Sequence, residues 1–205
     1  MPYQVVRTFE ERVAGYAGAL YGVAVESGTA AIFLSIMYRK HERGGISDAW
    51  IPKRTYPSVA CSIIHAGGRI RFKDEDWRGV YDIAPLDVVD AALRFRRGMY
   101  QKGSLYCLSF HAKKHLAIGR GGMILTDDVD AYRWLKKARF DGRDECDLHT
   151  PQTFTLGWNM YLTPDQAARG LMAFSIINNR PESPEDLDAS KQGYPDLSEQ
   201  EVYRQ

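Results

Sequence analysis

Three polar clusters in this chain hold residue types that could do chemistry together. The richest runs Ser109-Phe110-His111-Ala112-Lys113-Lys114-His115-Leu116-Ala117-Ile118-Gly119-Arg120-Gly121-Gly122. Its hydroxyl and glycine N–H groups can bind an anion, and a lysine amine beside them can act as nucleophile or proton carrier. In the second, Ser27-Gly28-Thr29, two hydroxyls flank a glycine where a helical pattern begins. The field and unpaired N–H groups of a helix N-terminus suit a phosphate there. A capped helix with a glycine turn reads the same residues without any ligand. The third is Asp90, which ends the apolar run Leu86 to Val89 and precedes Ala91-Ala92. It delivers a carboxylate to the end of a strand; an exposed loop aspartate is the plainer alternative. His111, Lys113, Lys114 and His115 equally fit a basic loop facing solvent or nucleic acid, and Arg94, Arg96 and Arg97 fit a solvated face. Pattern alone reaches a phosphate-ligand protein with a lysine nearby.

The elements that must position these clusters alternate. Phe9, Val13, Tyr16 and Leu20 recur at helical spacing after Thr8, a candidate N-cap, and Gly22 to Val25 reads as a short buried strand. Ala30, Ala31, Phe33, Leu34, Met37 and Tyr38 give the next helix its buried face, and Gly44-Gly45 stops it. Strands follow at Ala49 to Ile51, Arg69 to Phe72, Leu86 to Val89, Leu105 to Ser109 and Met123 to Thr126. Helices are expected over Ser58 to His65, Val129 to Phe140 and Pro164 to Asn178. Such alternation predicts an α/β layered fold, and all three clusters fall where a strand ends, the edge at which open α/β sheets bind ligands. Residues 1–179 read as one domain. Residues 180–205, rich in Pro, Asp, Glu and Ser, read as a polar, irregular tail.

Composition narrows the function classes. With 205 residues, 44% apolar and 26% charged, the chain has material for a core, which excludes disorder and fibres. Lys plus Arg number 27 against 26 for Asp plus Glu, a net charge of +1, so no global field favours nucleic acid or an anionic membrane. Arg7, Glu10, Glu11 and Arg12 stand where a signal peptide needs an apolar core, and the mostly apolar stretch Ala30 to Tyr38 is too short to span a bilayer. A cytoplasmic protein is expected. Cys61, Cys107 and Cys146 are odd in number and widely spaced, which fits reduced thiols rather than disulfides or a metal site.

Taken in order, the residues resemble the DegT/DnrJ/StrS family of pyridoxal-phosphate-dependent sugar aminotransferases, of the aspartate aminotransferase-like fold type I. Phe9-Glu10-Glu11 through Ser27-Gly28-Thr29-Ala30-Ala31 is similar to the family's opening helix and phosphate turn, and Pro52 to Gly67, with Thr55-Tyr56, to its next segment. Val89-Asp90-Ala91-Ala92 resembles the aspartate motif, and Cys107 to Gly122 followed by Thr126-Asp127-Asp128 resembles the lysine loop. Gly157-Trp158-Asn159 with Gln166-Ala167-Ala168 resembles the asparagine motif.

The resemblance implies a three-layer sandwich around a mostly parallel sheet, equivalent to the family's large domain, with the C-terminal small domain largely absent. It implies that Lys114 bonds to the aldehyde of pyridoxal 5'-phosphate and later carries protons, while Asp90 pairs with the pyridinium nitrogen. Gly28, Thr29 and Ser109 would hold the phosphate, and Tyr56 would stack on the ring. Asn159 would reach the phosphate of a neighbouring subunit in a homodimer. A core aromatic and a helix cap are the plain readings of Tyr56 and Asn159. The chain departs from the family in lacking a strand and helix between Tyr81-Asp82-Ile83-Ala84-Pro85 and the aspartate motif, and in carrying Leu93, Arg120 and Tyr161 at positions usually polar, acidic and arginine. The implied reaction is amino transfer from glutamate to a nucleotide-linked keto sugar. The alternatives are a cofactor- or partner-binding remnant that does not turn over and a pyridoxal-phosphate-dependent sugar dehydratase. Family dehydratases carry histidine where Lys114 stands.

Overall fold

The computed structural model describes residues 3–204. Its elements are α1 (Gln4–Ala17), β1 (Tyr21–Val25), α2 (Gly28–Arg43), β2 (Asp48–Pro52), α3 (Pro57–His65), β3 (Arg69–Lys73), β4 (Tyr81–Ile83), β5 (Val88–Asp90), β6 (Leu105–Ser109), β7 (Gly122–Thr126), α4 (Val129–Ala138) and α5 (Pro164–Asn178). Five strands form one sheet in the order β1-β7-β6-β5-β4, and β2 pairs with β3 beside it. An isolated bridge from Trp50 to Ala84 links the two sheets.

The strands explain the layers through their period of two. Val23, Val25, Val88, Leu105, Cys107 and Ile124 point into a cluster with α2, α3 and α4. Their neighbours Ala24, Val89, Tyr106, Leu108, Met123 and Leu125 point into a second cluster with α1 and α5. Helices on both faces of a sheet give the expected α/β sandwich. On the far side α5 lies directly on α1, where a Cβ at Gly170 would stand 2.7 Å from the Phe9 ring.

Several expectations need correction. The main sheet is mixed rather than mostly parallel: β5–β6 runs parallel, whereas β1–β7, β6–β7 and β4–β5 run antiparallel. The β4–β5 link, residues 84–87, is too short for a parallel return, which needs a crossover of a dozen or more residues. Leu86 lies in the β4–β5 turn, outside the strand expected there, and β4 itself is a strand of three residues that the pattern does not announce. Thr8 sits inside α1, its hydroxyl donating to the Gln4 carbonyl at 3.1 Å, so it caps nothing. Leu20 is 72% exposed beyond the helix end. Residues 180–204 hold only short 3-10 turns, but they lie back on the fold: Ala189 and Leu197 are buried, and Arg94 grips Asp186.

A buried ionic cluster fixes α1 and α4 to β1. Arg139, with no exposed surface, binds Glu10, the Ala24 carbonyl and Glu145, while Lys136 reaches both carboxylates at 3.2 and 3.0 Å. Glu10 also accepts the Ala24 N–H at 2.8 Å.

Candidate functional site

A cavity of about 900 Å³ opens at the sheet edge where β1, β5 and β6 end and β7 begins. Six of the seven residues singled out from sequence line it: Gly28, Thr29, Tyr56, Asp90, Ser109 and Lys114. The seventh, Asn159, does not; it is exposed and donates to Asp141 at 3.1 Å. Helix capping next to it belongs to Thr163, so Asn159 is not the cap either.

The turn between β1 and α2 is built by close approach. Ser27 caps α2, its hydroxyl accepting the Ala30 N–H at 3.0 Å, and the Thr29 hydroxyl pairs with Ser58 at 2.8 Å. Both side chains therefore have protein partners, and the open donors are the N–H groups of the first helical turn. A Cβ on Gly28 would meet the Ser109 Cβ at 2.8 Å, and one on Gly122 would meet the Ser27 carbonyl at 2.4 Å. Three strand ends converge here because two residues lack side chains. We expect Gly28→Ala to destabilise the fold by about 1–3 kcal/mol, the usual cost of overpacking. Ser109→Gly in the same chain should relieve much of it. Strictly additive effects in thermal unfolding would refute the clash.

Asp90 occupies the closed end. It is 3% exposed, its Oδ1 accepts the Ala92 N–H at 2.9 Å, and among the described residues it forms no ion pair. The buried Tyr81 hydroxyl lies against it and pairs with Thr55 at 2.7 Å, giving a relay from Thr55 through Tyr81 to Asp90. Burial pushes the Asp90 carboxyl above its ordinary value; the Ala92 N–H, Tyr81 and the Lys114 charge pull the other way. Lys114 sits in the lobe between β6 and β7, which is pinned by Phe110 N–H to Gly121 O at 2.8 Å and Ile118 N–H to Phe110 O at 3.0 Å. Burial lowers its amine pKa, Asp90 raises it, and Lys113 lowers it further. A half-buried amine whose pKa burial lowers thus shares a cavity with a buried carboxylate, an arrangement that can serve a nucleophile and its charge partner.

The remaining walls come from residues that sequence reasoning did not select, including Phe33, Ser58, Trp158, Met160 and Tyr194. Phe33 had a signal, since it lies one helical turn after Thr29. Trp158 meets it edge-on, with ring centroids 5.3 Å apart. Arg120, the departure in the glycine loop, pairs with Glu26 at 2.9 Å beside the turn between β1 and α2. Among the described residues no cluster could hold a metal, and no helix is long and apolar enough to cross a membrane.

The DegT/DnrJ/EryC1/StrS aminotransferase family matches residues 1–98 and 89–186. The chain belongs to this family. Among curated DegT/DnrJ/EryC1/StrS-like relatives, the spore coat polysaccharide biosynthesis protein SpsC of Bacillus subtilis is 29% identical over 169 residues, covering 61% of this chain and 42% of that protein. The UDP-N-acetyl-3-dehydro-alpha-D-glucosamine 3-aminotransferase of Acidithiobacillus ferrooxidans is 25% identical over 206 residues, covering 78% and 54%. The chain spans about half the length of these relatives. The sugar aminotransferase CalS13 of Micromonospora echinospora superposes with a TM-score of 0.70 at 20% identity, over 85% of this chain and 61% of that one. The 3-amino-5-hydroxybenzoic acid synthase superposes with a TM-score of 0.69 at 19% identity, over 85% and 56%. These likenesses place the DegT/DnrJ/EryC1/StrS chain on the fold of the type I aminotransferases.

Proposed function

We propose that this chain is a pyridoxal-phosphate-dependent aminotransferase that moves an amino group from glutamate to a keto sugar carried on a nucleotide. The observation that carries the reading is the pairing of Lys114 with Asp90 across one cavity whose rim is the Gly28–Ser109 phosphate turn. The residues fit the cofactor: a buried carboxylate with no cation in salt-bridge contact suits a protonated ring nitrogen, and open helix N–H groups suit a phosphate.

When bound, pyridoxal phosphate supplies an electron sink for a carbon that loses its proton. The chain's own groups do the rest. Asp90 would hold the proton on the ring nitrogen, kept in place by Ala92 N–H and the Thr55–Tyr81 relay. Lys114 would hold the cofactor at its aldehyde through Nζ, the carbonyl oxygen leaving as water, and as a free amine would take up and return a proton at Nζ. Burial lowers its pKa, which favours both tasks. Gly28, Thr29 and Ser109 would bind the phosphate, and Tyr56, 57% exposed at the cavity mouth, would cover the ring face. A lysine rather than a histidine at position 114 favours amino transfer over dehydration. The test is a visible absorption band on adding pyridoxal phosphate, and its loss on adding glutamate. A band that ignores glutamate and every keto sugar nucleotide offered would favour a cofactor-binding remnant. That second reading draws on the direct β4–β5 hairpin, where the resemblance expects a further strand and helix.

We place the working protein in the cytoplasm as a homodimer. Asn159 is exposed and away from its own chain's cavity, as a residue serving a partner's phosphate would be, and exposed Leu148, Phe154 and Leu156 precede it. Light scattering at micromolar concentration should give about twice the 23.3 kDa chain mass. A monomer that binds the cofactor tightly would refute the dimer.

A further inference from the structure

The segment from Asp186 to Leu197 forms part of the cavity wall near Asp90. One anchor lies at Trp77 to Gly79 and Leu93 to Arg94. Arg94 Nε donates to the Asp186 carboxylate at 2.9 Å, Leu187 N–H to the Leu93 carbonyl at 2.9 Å, and Gly79 N–H to the Leu187 carbonyl at 3.0 Å. The other lies at Lys53 and Arg54, where the Lys53 ammonium meets Asp196 at 3.1 Å and the Lys53 carbonyl accepts the Leu197 N–H at 2.8 Å. Leu197 is buried behind this second anchor. Between them the chain bulges inward at Gln192 to Tyr194, turning through Gly193 at φ +67°, and both Gln192 and Tyr194 line the cavity.

Tyr194 completes an aromatic enclosure. Its ring stacks on Trp77 with centroids 6.1 Å apart and planes 7° apart, and meets Tyr56 edge-on at 6.3 Å. Trp77 in turn packs against Tyr81 at 4.7 Å and is fixed by its indole N–H on the Arg54 carbonyl at 2.9 Å. We propose that Tyr194, presented by this doubly anchored strap, is a positioning residue that closes the Asp90 end of the cavity against water and braces the ring of the group bound there. The bound group is pyridoxal phosphate on the reading above, so this part of the inference rests on that reading.

Independent support comes from charge. Burial, the Asp90 charge and Tyr56 push the Tyr194 hydroxyl up to about 12, which puts its ring within the field of that carboxylate. The ionisable groups facing Asp90 are Tyr81 from β4, Cys107 from β6, Lys114 from the lobe and Tyr194 from the strap. With Tyr194 removed, water reaches the carboxylate, and a group raised by burial moves back toward its ordinary value near 3.9.

Two variants test this. Tyr194→Ala opens the wall directly. Gly79→Ala leaves Tyr194 intact but puts a Cβ 2.5 Å from the Asp186 carboxyl carbon, which displaces the first anchor. Circular dichroism confirms folding in each. In the apo protein, the Asp90 carboxyl followed by carbon NMR should titrate at lower pH in both variants than in the parent, and Tyr194→Phe should behave as the parent. Binding of pyridoxal phosphate, followed by fluorescence quenching, should weaken by about tenfold in Tyr194→Ala, the scale of one lost aromatic contact. An Asp90 titration unmoved in folded Tyr194→Ala overturns the proposal, as does unchanged affinity where the parent binds. A parent that binds no pyridoxal phosphate overturns the functional reading alone, since the apo titration still decides the strap.

Discussion

Lys114→Ala should abolish the covalent label left by borohydride reduction in the presence of pyridoxal phosphate, whereas Lys113→Ala should keep it. The two lysines are adjacent, but their surroundings differ. Burial and the Lys113 charge both act to release the Lys114 proton, while Asp90 across the cavity restrains it. Amino transfer should fall with the label, by roughly 10²–10⁴-fold for the lost acid–base step alone. Label recovered on Lys113 by peptide mapping would contradict the assignment. The restraint has a sign that can be checked. Removing the Asp90 charge in Asp90→Asn lowers the Lys114 pKa further, so the pH profile of labelling should move to lower pH than in the parent.

Arg139→Met should cost on the order of 3–5 kcal/mol of stability, the usual consequence of stripping one partner from a buried ion cluster. The guanidinium joins Glu10, Glu145 and the Ala24 carbonyl, and once it is gone the two carboxylates keep only Lys136 and, on Glu145, the part-exposed Arg7 at 3.1 Å. Arg139 and Lys136 hold the Glu145 carboxyl below its ordinary value against the effect of burial. A depressed carboxyl contributes stability above its unfolded pKa of about 4.3 and loses it as pH falls through the folded value. The parent should therefore weaken below about pH 4, and the difference between parent and variant should shrink there. Denaturant unfolding at pH 7 and at pH 3 measures both. An equal gap at the two pH values would contradict the electrostatic account. The damage should also reach the site, because the Arg139 carbonyl holds Met160 N–H at 2.9 Å and the Met160 carbonyl holds Glu26 N–H at 2.8 Å, next to the phosphate turn.

Local chemistry was legible in the sequence, and distant assembly was not. Ser27 and Gly28 announced a capped helix start because caps act within a few residues, whereas the cap read at Asn159 belongs to Thr163. The strand ends carrying Asp90 and Ser109 were readable from their apolar runs. Ladder direction was not, since it depends on which distant strands become neighbours, as β1 and β7 do. Thr8 misled because a threonine inside a helix can satisfy its hydroxyl on the carbonyl one turn back, which removes the cue that a cap provides. Tyr194 carries no local signature, and Trp158 none beyond its place in the asparagine motif; both reach the cavity through backbone pairings that neighbouring segments make to residues far away in the chain. Asn159 lies next to cavity residues in sequence yet points elsewhere, as alternation along an extended segment requires.

Strand β1 has one neighbour in the sheet, β7, and the turn that follows β1 is braced by Gly122 at the start of that same strand. During translation those partners emerge roughly a hundred residues apart, which at about 5–20 residues per second leaves the N-terminal half waiting on the order of ten seconds. Throughout that interval β1 is an open edge beside the apolar α2, exposed to other nascent chains. Yield in a cell should accordingly depend on holdase chaperones and on ribosome speed between β1 and β7 more than on the equilibrium stability of the finished protein.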